Sequence, residues 1–333
     1  MKPSVRSLGS AALFAAFLSL GLSATAFAQS PKQVTLRYLS SHGGVSPHEL
    51  ADELGYYNGL EVKLKNVGYS AGGPESLFGL ASGSVDVGSA ATAAVINAIT
   101  GGNDFVAAYP SSGLNDRVKS IFYVLDDSPI RTMADIRGKT IAVNTLGAHL
   151  DYAVREASRK VGLPKNAVKL VVVPGPQLEQ TLRSKQVDIA AVGYWQSTFN
   201  GLLVAHGGVR AVFDDTDILG DLAGGFTVLR RDFVKAHPKA AHQFIEQAAR
   251  AADWSRENLD EARKVFARIL KKRGENADLA QYWVGFGMRK GGVATDRDVD
   301  FWIKALEEGG RLPKGKYKAA DILYRPGNNV TTE

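Results

Sequence analysis

One strand–helix–strand–helix–strand pattern occurs twice in this 333-residue chain, at nearly the same internal spacing. The first copy reads Thr35-Leu-Arg-Tyr-Leu-Ser40, then Glu61-Val-Lys-Leu-Lys-Asn-Val67, then Leu80-Ala-Ser-Gly-Ser-Val-Asp-Val-Gly-Ser89. The second reads Thr140-Ile-Ala-Val-Asn-Thr145, then Val168-Lys-Leu-Val-Val-Val173, then Leu182-Arg-Ser-Lys-Gln-Val-Asp-Ile-Ala-Ala191. Each apolar, β-branched run is followed by a helix-length stretch, which predicts an α/β chain of two similar lobes. Each lobe is expected to be a mixed sheet flanked by helices, and two lobes leave a cleft faced by matching loops.

The N-terminus is read apart from the fold. Lys2 and Arg6 precede an apolar run from Leu8 to Leu22, and Ala26-Phe27-Ala28 supplies small residues before a cut. That is the pattern of a secretory signal peptide over residues 1–28. No later stretch approaches the roughly 18 consecutive apolar residues of a membrane span. With no cysteine, disulfides, thiol nucleophiles and zinc-thiolate sites are excluded. An exported chain without a lipidated cysteine fits a bacterial periplasm.

Removing Lys2 and Arg6 lowers the formal charge from +6 to +4, and the basic residues are dispersed. No dense basic run interleaves with aromatics, so nucleic acid is a poor reading. No cofactor box and no metal-ligand spacing stands out, and monomer is the default.

Along the chain, Val34–Ser41 reads as a strand, and Ser46-Pro47 opens a helix that Asn58-Gly59 is expected to stop. Ser89–Ile99 reads as an Ala-rich helix ending at Gly101. Leu150, Ala153, Val154, Ala157 and Val161 form an apolar helical stripe. Phe105–Tyr109, Val118–Leu125, Ala211–Phe213 and Phe226–Leu229 read as further strands, and the tail is mostly helical. The helical tail has no counterpart in the second lobe and is expected to return to the first. The first lobe is then residues 29–120 and 220–333, and the second 121–219. The chain crosses between them near 118–126 and 211–228, which makes a two-strand hinge.

Open α/β sheets bind ligands beyond the carboxyl ends of their strands. That rule nominates Ser41, His42, Gly43, Tyr69, Ala91 and Thr92 in the first lobe. In the second it nominates Thr145, Gly147, Ala148, His149, Tyr194 and Trp195. Helix starts at Ala91-Thr92 and Gly147-Ala148 suit an acid group, because their backbone N–H groups carry partial positive charge. Tyr69, Tyr194 and Trp195 are candidate walls for an organic moiety.

Three partial motifs point to catalysis and fall short. Gly68-Tyr-Ser-Ala-Gly72 matches a serine nucleophile elbow, but no acid-then-histidine pair is marked downstream. Arg137-Gly-Lys-Thr140 resembles the end of a phosphate loop, yet Met133 replaces its first glycine and a strand follows. His48-Glu-Leu-Ala-Asp52 lacks the second histidine of a zinc-protease helix. The pattern favours a binder over an enzyme; a secreted serine hydrolase built on Ser70 is the alternative from another class.

Glu53-Leu-Gly-Tyr-Tyr-Asn-Gly-Leu-Glu-Val62, Gly73–Gly88, Met133–Val143, Arg231–Pro238 and Ala252–Trp254 resemble, in order, the blocks of nitrate/sulfonate/taurine-type periplasmic solute-binding proteins of ABC importers. The resemblance implies a type II periplasmic binding fold that closes on a small organic anion, an aliphatic sulfonate or taurine-like acid, and delivers it to an inner-membrane permease. In that family the ligand acid often meets a G-[ST]-x-A-H loop. Here Thr145 holds the hydroxyl position and Asn144 replaces the leading glycine, so carboxylates, aromatic ones included, and a pyrimidine-type nutrient stay open. Docking on a membrane sensor instead of a permease also stays open.

Overall fold

The structure, a computed structural model, describes residues 33–325, so the signal sequence expected over 1–28 lies outside the described residues. Strand β1 (Val34–Ser40) alternates inward Leu36 and Tyr38 with outward neighbours, as a half-buried strand must. Helix α1 (Pro47–Glu53) starts on a capping box: Ser46 Oγ accepts from the Glu49 amide, and the Glu49 carboxylate accepts from the Ser46 amide. The helix stops earlier than Asn58-Gly59. Gly55, at φ 74°, takes the left-handed position of a Schellman ending, with Tyr56 N donating to Ala51 O and Gly55 N to Asp52 O.

After β2 (Val62–Tyr69) and α2 (Gly73–Ser82) comes β3 (Val87–Ala91), then α3 (Thr92–Thr100) and β4 (Phe105–Gly113). The helix expected from Ser89 thus begins three residues later. Ser89, Ala90 and Ala91 are drawn into a strand by antiparallel pairing with a distant segment, Ala90 facing Phe226. Alanine-rich sequence carries only a weak helix preference, and sheet pairing overrides it here.

The second copy begins after β5 (Ile121–Leu125) and comprises β6 (Thr140–Val143), α4 (His149–Lys160), β7 (Lys169–Val172), α5 (Leu178–Arg183) and β8 (Ile189–Val192). Helix α6 (Ser197–Ala205), β9 (Val209–Asp214) and α7 (Thr216–Leu219) complete this part. Its strands form one five-stranded sheet, β7-β6-β8-β5-β9, with β6 parallel to β7 and β8 and with β5 antiparallel to both neighbours. The first part holds a parallel β1-β2 pair and an antiparallel β3-β10-β4 sheet, where β10 spans Ala223–Arg230.

The repeat has a physical basis in two matching aspartates. Asp86 accepts from the Arg37 amide at 2.9 Å while its own amide donates to Arg37 O, tying β3 to β1. Asp188 does the same for β8 and β6, accepting from the Thr140 amide at 2.8 Å and donating to Thr140 O. Each follows a buried valine, Val85 and Val187, that anchors the turn in the core. In the first copy Arg37 adds a guanidinium to Asp86. Burial pushes Asp86 up, but the Arg37 bonds outweigh it and hold the carboxyl below its ordinary range.

The chain passes between the two parts twice, after β4 at Gly113 and after β9 at Asp214. The two passages are knitted together: Asp215 N donates to Ser120 O at 3.0 Å, and Asp215 Oδ1 accepts from Ser120 N at 2.9 Å. The tail supplies α8 (Arg231–Ala236), α9 (Pro238–Glu257), α10 (Leu259–Lys272), α11 (Asp296–Glu308) and α12 (Ala319–Ile322). Phe244 of α9 and Phe266 of α10 bury fully in the cluster that holds Leu36 and Leu50. Each such burial is worth about 1.5–3 kcal/mol.

Candidate functional site

A cavity of about 140 Å³ lies where the carboxyl ends of β1, β2, β3 and β4 meet those of β6 and β8. Helices α2, α3 and α4 all begin at its edge, through Gly72 and Gly73, Ala90 and Ala91, and Ala148 and His149. None of the three N-termini is closed by a side-chain cap. Three helix N-termini without side-chain caps therefore stand at the edge of one space. Close approach is built into the first: a Cβ on Gly73 would lie 2.6 Å from Ala90 Cβ.

Among the described residues bordering the cavity there is no lysine or arginine. Its one carboxylate, Glu49, is buried and already occupied by the Ser46 amide and hydroxyl at 2.8 and 2.9 Å, by Arg273 at 3.2 Å and by Ser40. Helix ends bring partial positive charge to the cavity edge, which favours an anion without a formal counter-charge. Serine hydroxyls at Ser41, Ser70, Ser111 and Ser112 line the same space.

One wall is aromatic. Tyr194 and Trp195 meet edge to face at 4.7 Å, and Trp283 and Phe286 at 4.9 Å. The second pair comes from a segment after α10 that sequence reasoning did not single out. Its signal is the spacing Gly285-Phe286-Gly287, with φ of 96° and 66° at the glycines. Gly113 N donates to Phe286 O at 2.9 Å, and a Cβ on Gly287 would lie 2.4 Å from Gly113 O. Only glycine lets this strap lie so close to the end of β4.

Of the nominated residues, Ser41, Ala91, Ala148, His149, Tyr194 and Trp195 border the cavity together. Thr92 is buried beside it, its hydroxyl donating to Ala223 O at 3.0 Å. The Gly147 amide donates to Asp151 at 2.8 Å, which closes part of the α4 turn. Thr145 sits against Gly72, while Asn144 borders the cavity instead. His42, Gly43 and Tyr69 form a neighbouring cluster rather than cavity wall. His42 stacks on Tyr69 at 4.1 Å, Tyr69 Oη donates to Arg273 O at 3.1 Å, and Gly43 N donates to Glu275 at 2.6 Å.

His48, set aside as half of a protease motif, also borders the cavity. It is buried, with Nδ1 2.8 Å from Tyr109 Oη, and burial pushes its pKa down to about 4, so the ring is neutral at pH 7. Burial likewise raises Tyr109 and Tyr194 well above the ordinary phenol range. Four buried polar atoms of cavity-bordering residues have no hydrogen-bond partner among the described residues: His48 Nε2, Ser112 Oγ, Asn144 Oδ1 and His149 Nδ1.

Ser70 is not set up as a nucleophile. Its hydroxyl donates to Gly72 O at 2.7 Å and accepts from Gly72 N at 3.1 Å, closing a local turn. Among the described residues no group of three or more His, Asp or Glu side chains is arranged to hold a metal.

Residues 44–262 match the sequence profile of the NMT1/THI5-like family. A Brucella abortus chain described as a binding protein is 25% identical over 242 residues, 72% of each chain. An Escherichia coli chain described as an aliphatic sulfonates-binding protein is 24% identical over 259 residues, 77% of each. The crystal structure of the periplasmic aliphatic sulphonate binding protein SsuA from Escherichia coli superposes with a TM-score of 0.69 at 21% identity, covering 89% of this chain and 93% of that one.

Proposed function

We propose that this chain, which belongs to the NMT1/THI5-like family and has the two-lobed type II periplasmic binding fold, is the solute-capturing component of an ABC importer. Its ligand is a small organic acid, a sulfonate in the first instance, taken up between the lobes in the periplasm and handed to a permease. The observation that carries this reading is the convergence of three uncapped helix N-termini on a cavity that no lysine or arginine borders. Residues 114–120 and 215–222 serve as the hinge, with lobe boundaries close to 120 and 220. Ligand binds one lobe first, and closure follows because only the closed state makes both sets of contacts. No covalent step is involved.

The aromatic pair Trp283 and Phe286 favours a second reading, an aromatic carboxylate whose ring lies against them. Thermal-shift titration of the mature chain against alkanesulfonates, benzoates, nitrate and pyrimidines tests both. A ligand that binds only the folded state raises the melting point with concentration. Stabilisation by acids and not by pyrimidines is expected; stabilisation by neutral pyrimidines alone would overturn the acid reading. Robust labelling of Ser70 by a phosphonate probe would instead support a hydrolase.

A further inference from the structure

Arg273, just past the end of α10, is nearly buried and does not border the cavity, yet it holds three residues that do. Its guanidinium donates to Ser41 O at 2.8 Å, to Gly44 O at 3.0 Å and to the Glu49 carboxylate at 3.2 Å. Glu275 completes the clasp. One of its carboxylate oxygens accepts from Arg273 Nε at 2.7 Å, and the other accepts from the Gly43 amide at 2.6 Å. His42 and Tyr69 stack beside it, with the tyrosine ring 5.5 Å from the guanidinium. Each residue from Ser41 to Gly44 is thus engaged by the tail or by a side chain that the tail holds. The remaining backbone group of Gly43 is taken from the other side: its carbonyl accepts from Thr198 Oγ1 of α6 at 2.6 Å, and Phe199 packs on the same residue. A Cβ on Gly201, nearly one turn further along α6, would run into Tyr282, which follows α10. Helix α6 therefore rests on the tail and on the loop that the tail clasps.

We infer that Arg273 and Glu275 are positioning residues that hold the β1–α1 loop as the first-lobe half of a latch, so that the loop lining the cavity is also the surface on which α6 closes. The inference rests on the two-lobed hinge reading above and adds what the second lobe lands on; it does not depend on which ligand is bound. A contact between preset partners avoids the ordering cost that a free loop would meet at closure. With the Gly43 amide tethered to Glu275, its carbonyl is already aimed when Thr198 arrives. Once that tether is removed, the Thr198 bond contributes little, because the loop must first be ordered to make it.

The test uses the full mature chain without ligand, and no native cysteine interferes with labelling because the chain has none. A nitroxide is attached at Lys271→Cys, an exposed position on α10, and paramagnetic relaxation of the α6 amides is read by NMR. Four labelled proteins are compared: the parent, Thr198→Val, Glu275→Ala and the double variant. Relaxation of α6 by a first-lobe label scales with the closed population. In the parent background Thr198→Val is expected to lower it about fivefold, the loss of one hydrogen bond. In the Glu275→Ala background the drop should be less than about twofold, as for two residues acting through one contact. Equal losses in the two backgrounds would make Glu275 a part of the first-lobe scaffold alone and overturn the inference, as would identical relaxation in all four proteins. Failure of the acid reading shows itself separately, as absence of ethanesulfonate binding to the wild type by calorimetry, and leaves this comparison standing. Should Glu275→Ala not fold, Glu275→Asp, a methylene too short to reach both Arg273 and Gly43, takes its place. Arg273 is left intact because its removal would strand the buried Glu49 carboxylate without a counter-charge.

Discussion

Thr198 Oγ1 donates to the Gly43 carbonyl across 2.6 Å, joining helix α6 of the second lobe to the β1–α1 loop of the first. Phe199 presses on the same glycine, whose φ of 63° and tight surroundings leave no room for a side chain. If the lobes part as proposed above, this bond must break. Thr198→Val keeps the shape and deletes the donor. It is expected to weaken ligand binding by about 1 kcal/mol, roughly fivefold, without moving the ligand-free unfolding midpoint by a comparable amount. Calorimetric titration paired with urea unfolding separates the two effects.

Gly73→Ala tests the approach of α2 to β3. The added methyl would meet Ala90 Cβ at 2.6 Å and the Ala90 backbone at 2.8 Å, so the helix start must shift. Overpacking of this kind costs about 1–3 kcal/mol, and the displaced N-terminus should lower acid affinity as well. A melting curve and a titration on one preparation check both; unchanged values would mean that α2 does not stand where described.

Truncating the aromatic wall should weaken binding, and at Phe286, which is buried in the core cluster with Phe244 and Phe266, it should cost folding stability as well, about 3–5 kcal/mol. Trp195→Ala and Phe286→Ala each remove apolar surface facing the cavity and are expected to weaken binding by about 1–3 kcal/mol. Unaltered affinity in Trp195→Ala would reduce that residue to scaffold.

His48 sets a pH dependence. Its folded pKa, about 4, lies below the unfolded value of 6.5, so the unfolded chain takes up the proton first. Above pH 6.5 the residue contributes no pH dependence; as pH falls from 6.5 to 4 stability drops, by about 3 kcal/mol in all. His48→Gln should flatten that part of the profile, measured as urea midpoints at pH 7.5, 6 and 5. An identical slope in variant and wild type would place the titration elsewhere.

The fold was legible because its repeat is chemical as well as patterned. The Val-Asp pairs at 85–86 and 187–188 recur because each aspartate must close the same strand-to-strand gap. Ser46, Pro47 and Glu49 announce a helix start with local groups alone. What local sequence does not carry is partnership across distance. Ser89–Ala91 looked helical because nothing nearby reveals that β10, well over a hundred residues later, would claim it. The site divided in the same way. Loop position alone nominated Ser41, Ala148, His149 and Trp195, and all four border the cavity. It missed Trp283 and Phe286, which reach the cavity through a glycine strap, and His48, which reaches it from inside α1. The pairing of Asp215 with His149 was invisible because the two lie 66 residues apart.

The central claim is that a small acid is held by the helix N-termini of both lobes at once. Backbone amide NMR during titration with an alkanesulfonate tests it most directly, at Gly73, Thr92 and His149. All three resonances are expected to move together, saturating with one binding constant and at one ligand per chain. Saturable binding that leaves these amides still, or moves those of one lobe alone, would contradict the account.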